Sequence, residues 1–168
     1  MNSLVKIILN IIPRSILTRL SFLLKPVIKI YLRGNKYFDP IDGSSFRKFL
    51  PYGYNNVREN ALSPSTFSLE RHRLLWLYLK NETDFFNKNL KVLHFAPEAA
   101  FLEKFKKLKN ISYDTIDLDS PLANIKADIC DLPLDNESYD FILCNHVLEH
   151  IIDDKKAMQE LYRVLKKD

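Results

Sequence analysis

Apolar and polar positions change period several times along this chain, and the last third is the most regular. Lys91-Val92-Leu93-His94-Phe95 is almost continuously apolar, the pattern of a strand covered on both faces. Phe101, Leu102, Phe105 and Leu108 then recur at helical spacing, so the segment predicts a strand, a turn and a helix. Tyr113–Ile116 predicts a second strand running into Asp117, and Ile125-Lys126-Ala127 a third. Tyr139–Cys144 predicts a fourth, introduced by the turn-forming run Asp135-Asn136-Glu137-Ser138. The interval from Asp119 to Lys126 is too short for the roughly dozen residues of a parallel crossover. The third strand must therefore be short or irregular. Upstream, Ser68 as an N-cap and Leu69, Leu75 or Trp76, and Leu79 on one side predict a helix over 68–83. Downstream, Glu149 and His150 open a further predicted helix with Ala157, Leu161, Val164 and Leu165 inward. Asp153 and Asp154 near its start and lysines at its end suit the helix dipole.

The N-terminal 33 residues follow a different rule. They are dense in Leu, Ile, Val and Phe, but a cation recurs every few residues, and Pro13 and Pro26 are expected to break the segment into short helical pieces. No stretch reaches the roughly 18 uncharged apolar residues needed to span a bilayer, and no small-residue cleavage site follows an apolar core. Residues 1–38 hold seven cations and no acid. The other 18 of the 25 cations face all 21 acids, so the rest of the chain carries a net −3. That body lacks a phosphate-tracking surface, and nucleic acid is not an expected partner. Amphipathic basic helices instead suit the headgroup layer of an anionic membrane, which implies peripheral contact through residues 1–33 from the cytoplasmic side. Packing of those helices on the domain or on a partner protein is the open alternative.

With 168 residues, 46% hydrophobic and 27% charged, the chain has material for one ordinary globular core. Cys130 and Cys144 both lie in apolar runs, where a free thiol behaves as a small hydrophobe, and no disulfide framework is implied.

Four runs place acidic or polar side chains just past a strand: LHFAPE (93–98), YDTIDLDS (113–120), ADICDLP (127–133) and YDFILCNHVLEHI (139–151). Their order and spacing resemble the nucleotide-binding half of a class I S-adenosylmethionine-dependent methyltransferase. The resemblance is to a bacterial subgroup that carries LHFAPE where others carry a glycine-rich loop. It implies an α/β fold, a partial Rossmann-like doubly wound parallel sheet of the first four strands, over residues 68–168. The cofactor it implies is S-adenosylmethionine. In that resemblance His94 takes the position of the usual acid, Ala96 that of the first glycine, and Glu98 a later one, where its carboxylate would meet the cofactor's α-ammonium. Asp117 falls where a carboxylate accepts hydrogen bonds from both ribose hydroxyls, with Asp119 as the weaker candidate. Asp128 matches the residue that meets the adenine amino group, and Ile129 the apolar contact beside it. Asn145 and His146 stand where the methyl acceptor would lie, with His146 as general base or orienting residue. Other duties compete: Glu98 as a first-turn acid, Asp128 as a turn residue, His146 as a structural hydrogen-bonding group.

Residues 37–67, with Asp39-Pro-Ile-Asp42 and Ser63-Pro-Ser-Thr66, look like a paired-knuckle zinc module of the kind that precedes the domain in this subgroup. None of the four positions is Cys, and hydroxyls with carboxylates are poor zinc ligands, so no structural zinc is expected. Two polar turns of independent origin would read the same way. His146-Val-Leu-Glu149-His150 also satisfies a metalloprotease pattern, but it directly follows a buried strand in the methyltransferase-like order.

The expected organisation is a basic amphipathic helical segment (1–36), a small irregular knuckle-like region (37–67), and the N-terminal part of a methyltransferase domain (68–168). The resemblance stops where such a domain would continue into three more strands. That would leave the fourth strand with an open apolar edge, to be completed by a partner chain or left in a truncated product. Two functions follow: a methyltransferase with an unidentified acceptor, active near the membrane, or a noncatalytic membrane-associated interaction protein that keeps the fold.

Overall fold

The computed structural model describes residues 14–53 and 56–167, with side chains from residue 23 onward. Pro13 and the rest of residues 1–13 lie outside the described residues. Two compact units divide between Trp76 and Leu77.

The first unit begins with helix α1 (Arg14–Tyr31), which runs through Pro26 instead of breaking there. A proline inside a helix removes one backbone hydrogen bond, at about 3 kcal/mol, without preventing the turns on either side. The helix packs Ile28 against buried Leu32, Phe46 and Phe49, so tertiary contact overrides the local signal. Strands β1 (Arg33–Asp39) and β2 (Ser44–Phe46) pair antiparallel, as do β3 (Leu50–Tyr52) and β4 (Arg58–Leu62). Residues 33–36, expected as helix, are strand. Gly34 sits at an irregular point of β1 where a Cβ would lie 2.6 Å from the Arg47 amide nitrogen, so only glycine fits.

The turns 39–42 and 63–66 meet in this unit. Asp39 is fully buried; its Oδ1 accepts from the Ile41 amide (3.0 Å), and its Oδ2 from the hydroxyls of Thr66 (2.5 Å) and Ser68 (3.3 Å). Ser68 is thereby not the N-cap expected of it. Helix α2 (Glu70–Asn81) starts two residues later, where the Leu69 amide donates to Nδ1 of His72, much as a capping box satisfies a first-turn donor.

The second unit holds a parallel sheet of four strands: β5 (Leu90–Phe95), β6 (Ile111–Asp117), β7 (Ile125–Lys126) and β8 (Phe141–Cys144). Their spatial order is β7-β6-β5-β8, with the first strand in the middle, as a doubly wound sheet requires. The third strand is two residues long, in keeping with the short interval before it. No crossover helix precedes it; Asn124 pins the loop by accepting from the Thr115 amide and hydroxyl (2.5 and 2.7 Å). The fourth is shorter than expected, because Tyr139 turns away to bridge Leu165.

Alternation along the strands sorts side chains onto two faces. Leu93, Phe95 and Ile116 pack with Ala157 and Val164 of helix α4 (Asp154–Val164). On the other face His94 and Tyr113 meet Phe101 and Phe105 of helix α3 (Ala99–Phe105), and Phe105 continues to Phe85 and Phe141. The expectation that Glu149 and His150 open the last helix is not met. They belong to a 3₁₀ turn (Leu148–His150); Ile151 is extended, and α4 starts at Asp154 with the Asp153 side chain accepting from the Lys156 amide. A true N-cap aspartate decides the start over a helix-compatible glutamate upstream.

Candidate functional site

At the carboxyl ends of the four parallel strands the chain leaves the sheet in four turns, and these surround one cavity of about 240 Å³. Its walls are Phe95, Ile116, Leu118, Ala127, Ile129, Val147 and Ile151, with Ala96, Asp117, Asp128, His146 and His150 completing the lining. Ligands in open α/β sheets lie in this place because the connections from neighbouring strands leave toward opposite faces at the point where the strand order reverses, and a crevice opens between them.

Each turn has a local cause. After β5, Ala96 adopts φ +46°, and its amide donates to the Ile116 carbonyl (2.9 Å), tying the turn to the neighbouring strand. His146 after β8 is also left-handed, at φ +55°. Non-glycine residues in that region cost about 1–3 kcal/mol, and they collect at functional sites. After β6, Oδ1 of Asp117 accepts from the amides of Asp119 (2.9 Å) and Ser120 (2.8 Å). Among the described residues both hydrogen bonds of that side chain fall on Oδ1, so the carboxylate is anchored through one oxygen. Asp128 behaves alike, with Oδ1 accepting from the Cys130 amide at 2.8 Å.

Five of the nine residues singled out in the sequence therefore share one cavity: Ala96, Asp117, Asp128, Ile129 and His146. Asp119, His94, Glu98 and Asn145 are not in its lining. His94 is fully buried, with Nδ1 2.7 Å from the Tyr113 hydroxyl and Nε2 2.6 Å from Oε2 of Glu98. Asn145 Nδ2 lies 3.5 Å from Oε1 of Glu98, at the limit of a hydrogen bond. Burial and the Glu98 charge push the Tyr113 hydroxyl upward, so it keeps its proton. Burial, with Glu149 adding to it, raises the Cys144 thiol to about 11, which leaves it a packed neutral group.

Sequence reasoning missed Tyr113, His150, Val147 and Ile151. Tyr113 had a signal: on the parallel second strand it shares a side-chain face with Thr115, the register partner of His94. His150 and Ile151 had none, since their placement depends on where the 3₁₀ turn ends. His146 and His150 lie at either end of that turn and not on one helix face, while His146 pairs with Glu149 at 3.2 Å.

A second cavity, about 520 Å³, lies in the first unit and is lined by Lys29, Ile30, Arg33, Gly34, Gly43, Ser44, Ser45 and Phe46. It is larger, but its lining holds no carboxylate, whereas the sheet-end cavity joins apolar walls to anchored ones.

Residues 83–168 match a family model described as a methyltransferase domain. A solved S-adenosylmethionine-dependent methyltransferase from Aquifex aeolicus is similar at 17% identity and a TM-score of 0.46, over 58% of this chain and 58% of that one. The YcgJ protein of Bacillus subtilis is similar at 21% identity and a TM-score of 0.42, over 58% of this chain and 47% of that one. The chain thus spans about half to three-fifths of the length of these structures. No curated protein matches it.

Proposed function

The chain belongs to the methyltransferase domain family, and from that premise we propose that it binds S-adenosylmethionine at the sheet-end cavity and transfers its methyl group to an unidentified acceptor. The observation that supports this best is that Asp117 and Asp128 line one largely apolar crevice together with Ala96, which sits in a left-handed turn. A volume near 240 Å³ falls below the roughly 300–1,000 Å³ of sites that enclose a whole ligand, which suits the adenosine half alone. Ile116, Ile129 and Val147 offer apolar walls for a purine. Asp117, anchored on Oδ1, presents its other oxygen to the ribose diol, and Asp128 meets the adenine amino group. Ala96 keeps the backbone close to the methionine end. When bound, the sulfonium supplies an electrophilic methyl; the protein has to align an acceptor with it and exclude water. His146, exposed at the rim, orients that acceptor or takes its proton, with Asn145 beside it.

Calorimetric titration with S-adenosylmethionine tests the reading. Micromolar binding that weakens at least about tenfold in Asp117→Ala supports it, since a hydrogen bond to a charged group contributes about 1.5–3 kcal/mol. Absence of binding heat would leave the noncatalytic alternative; among the described residues β8 pairs with β5 alone, which leaves its other edge unpaired there. A partner chain pairing with this edge is part of that alternative, and gel filtration would detect it.

Within the same proposal the first unit attaches the protein peripherally to the cytoplasmic face of an anionic membrane. Leu23, Val27, Ile30 and Tyr31 form one exposed stripe on α1, and Lys29 and Arg33 line the cavity beside it. Among the described residues no helix is long and apolar enough to cross a membrane. Co-sedimentation with phosphatidylglycerol vesicles, lost in Val27→Glu, is the expected outcome.

A further inference from the structure

Beside the cavity, and outside its lining, stands a line of three side chains that the adenosine contacts do not use. We infer that Tyr113 and His94 are positioning residues that aim the Glu98 carboxylate at the cofactor's α-ammonium, an inference that rests on the cofactor reading above. His94 is fully buried, yet both of its ring nitrogens are engaged, at 2.7 Å to Tyr113 and 2.6 Å to Glu98. A buried imidazole with one short bond on each side has its tautomer fixed by whichever neighbour must donate. The Tyr113 phenol is held protonated by burial and by the nearby carboxylate. The carboxylate oxygen of Glu98 can only accept, so a neutral His94 carries its hydrogen on Nε2 and leaves Nδ1 to accept from the Tyr113 hydroxyl. The direction of the line is thus Tyr113 to His94 to Glu98, ending on the carboxylate.

Aromatic rings surround the buried imidazole. The rings of Phe101, Phe105 and Tyr113 lie 6.4, 6.2 and 6.0 Å from that of His94, centroid to centroid. The left-handed turn at Ala96 folds residue 98 back over residue 94, since Glu98 precedes α3 and is not helical itself. This gives the strain at Ala96 a specific use. Oε1 of Glu98 reaches toward Asn145 at the end of β8, so the carboxylate bridges the turns after the first and fourth strands. The neighbours of those two residues in the chain, Ala96 and His146, line the cavity. The Glu98 side chain keeps 18% of its surface exposed. A carboxylate held by His94 and Asn145, next to two turns whose residues line the crevice, matches a primary ammonium and not a second anion.

Two ligands separate this from a merely structural clamp. S-adenosylhomocysteine carries the α-ammonium; 5′-methylthioadenosine has the same adenosine and no amino acid. Calorimetry on the full chain should show His94→Leu weakening S-adenosylhomocysteine at least about tenfold and methylthioadenosine less than about twofold, with His94→Gln, which keeps a donor, recovering most of the loss. Tyr113→Phe, which keeps the ring, should give the same selectivity at about threefold. Equal weakening of both ligands, or none, would overturn the inference while leaving the adenosine site in place. So would a wild-type protein that binds both ligands equally. A wild-type protein that binds neither removes the cofactor reading and this inference together.

Discussion

Asp39 in the first unit and Asp117 in the second begin alike: each accepts on Oδ1 from the amide two residues on, at 3.0 and 2.9 Å. They part at the other oxygen. Oδ2 of Asp39 is consumed by Thr66 and Ser68, the side chain is fully buried, and Arg73 nearby donates to the carbonyls of Ala61 and Ser68. Asp117 stays half-buried on a cavity wall, and its side-chain bonds among the described residues leave Oδ2 out. A carboxylate answered wholly from within holds a fold together. One fixed by half and turned to a crevice is preorganised for a ligand at little entropic cost.

Substitution can break this contrast, and the largest effect is expected at Asp39. Asp39→Ala strips an acceptor from one amide and two hydroxyls, and unsatisfied buried donors cost about 1–3 kcal/mol each. Urea unfolding should show a loss of about 3 kcal/mol or more, with adenosine affinity of the folded protein within about twofold. Lost binding at unchanged stability would reverse the assignment. Asp117→Asn comes next: the amide oxygen can still serve the Asp119 and Ser120 turn, so stability should move by under about 0.5 kcal/mol while affinity for S-adenosylmethionine drops about tenfold.

The smallest effect belongs to a carboxylate that serves neither use. Glu160 accepts from Arg163 and from the Leu132 amide, and the Arg163 hydrogen bond, before all else, takes its pKa from 4.5 to about 2. A folded-state value below the unfolded one means the stabilisation is complete above about 4.5 and disappears as the pH falls toward 2. Glu160→Gln should therefore flatten the acid limb of the melting-temperature profile between those values, by an amount equivalent to about 1 kcal/mol or less. An unchanged acid limb would show that other carboxylates set it.

The order of the strands and the turns that end them could be read because each is a local pattern: continuous apolar runs for covered strands, acids directly after them, Asp135–Ser138 before the last. That is why Ala96, Asp117, Asp128, Ile129 and His146, each placed near a strand end by the sequence, come to line one cavity, since residues just past a strand end inherit the position of that end. Local pattern failed where distant groups compete for one residue. Ser68 looks like a cap and is drawn instead to Asp39, twenty-nine positions away. Pro26 looks like a break but sits in a helix that Ile28 fastens to Leu32, Phe46 and Phe49.

By itself, then, the sequence determined an α/β chain with a four-strand parallel sheet and acids at the strand ends, because periodicity and sequence-adjacent turns are short-range properties. Only the tertiary structure decided that His94 is a buried relay between Tyr113 and Glu98 and that His150 and Ile151 close the cavity wall. Such partnerships form when strand register and a left-handed turn bring separate parts of the chain within 3 Å of each other, and neither is written in the neighbours of any one residue.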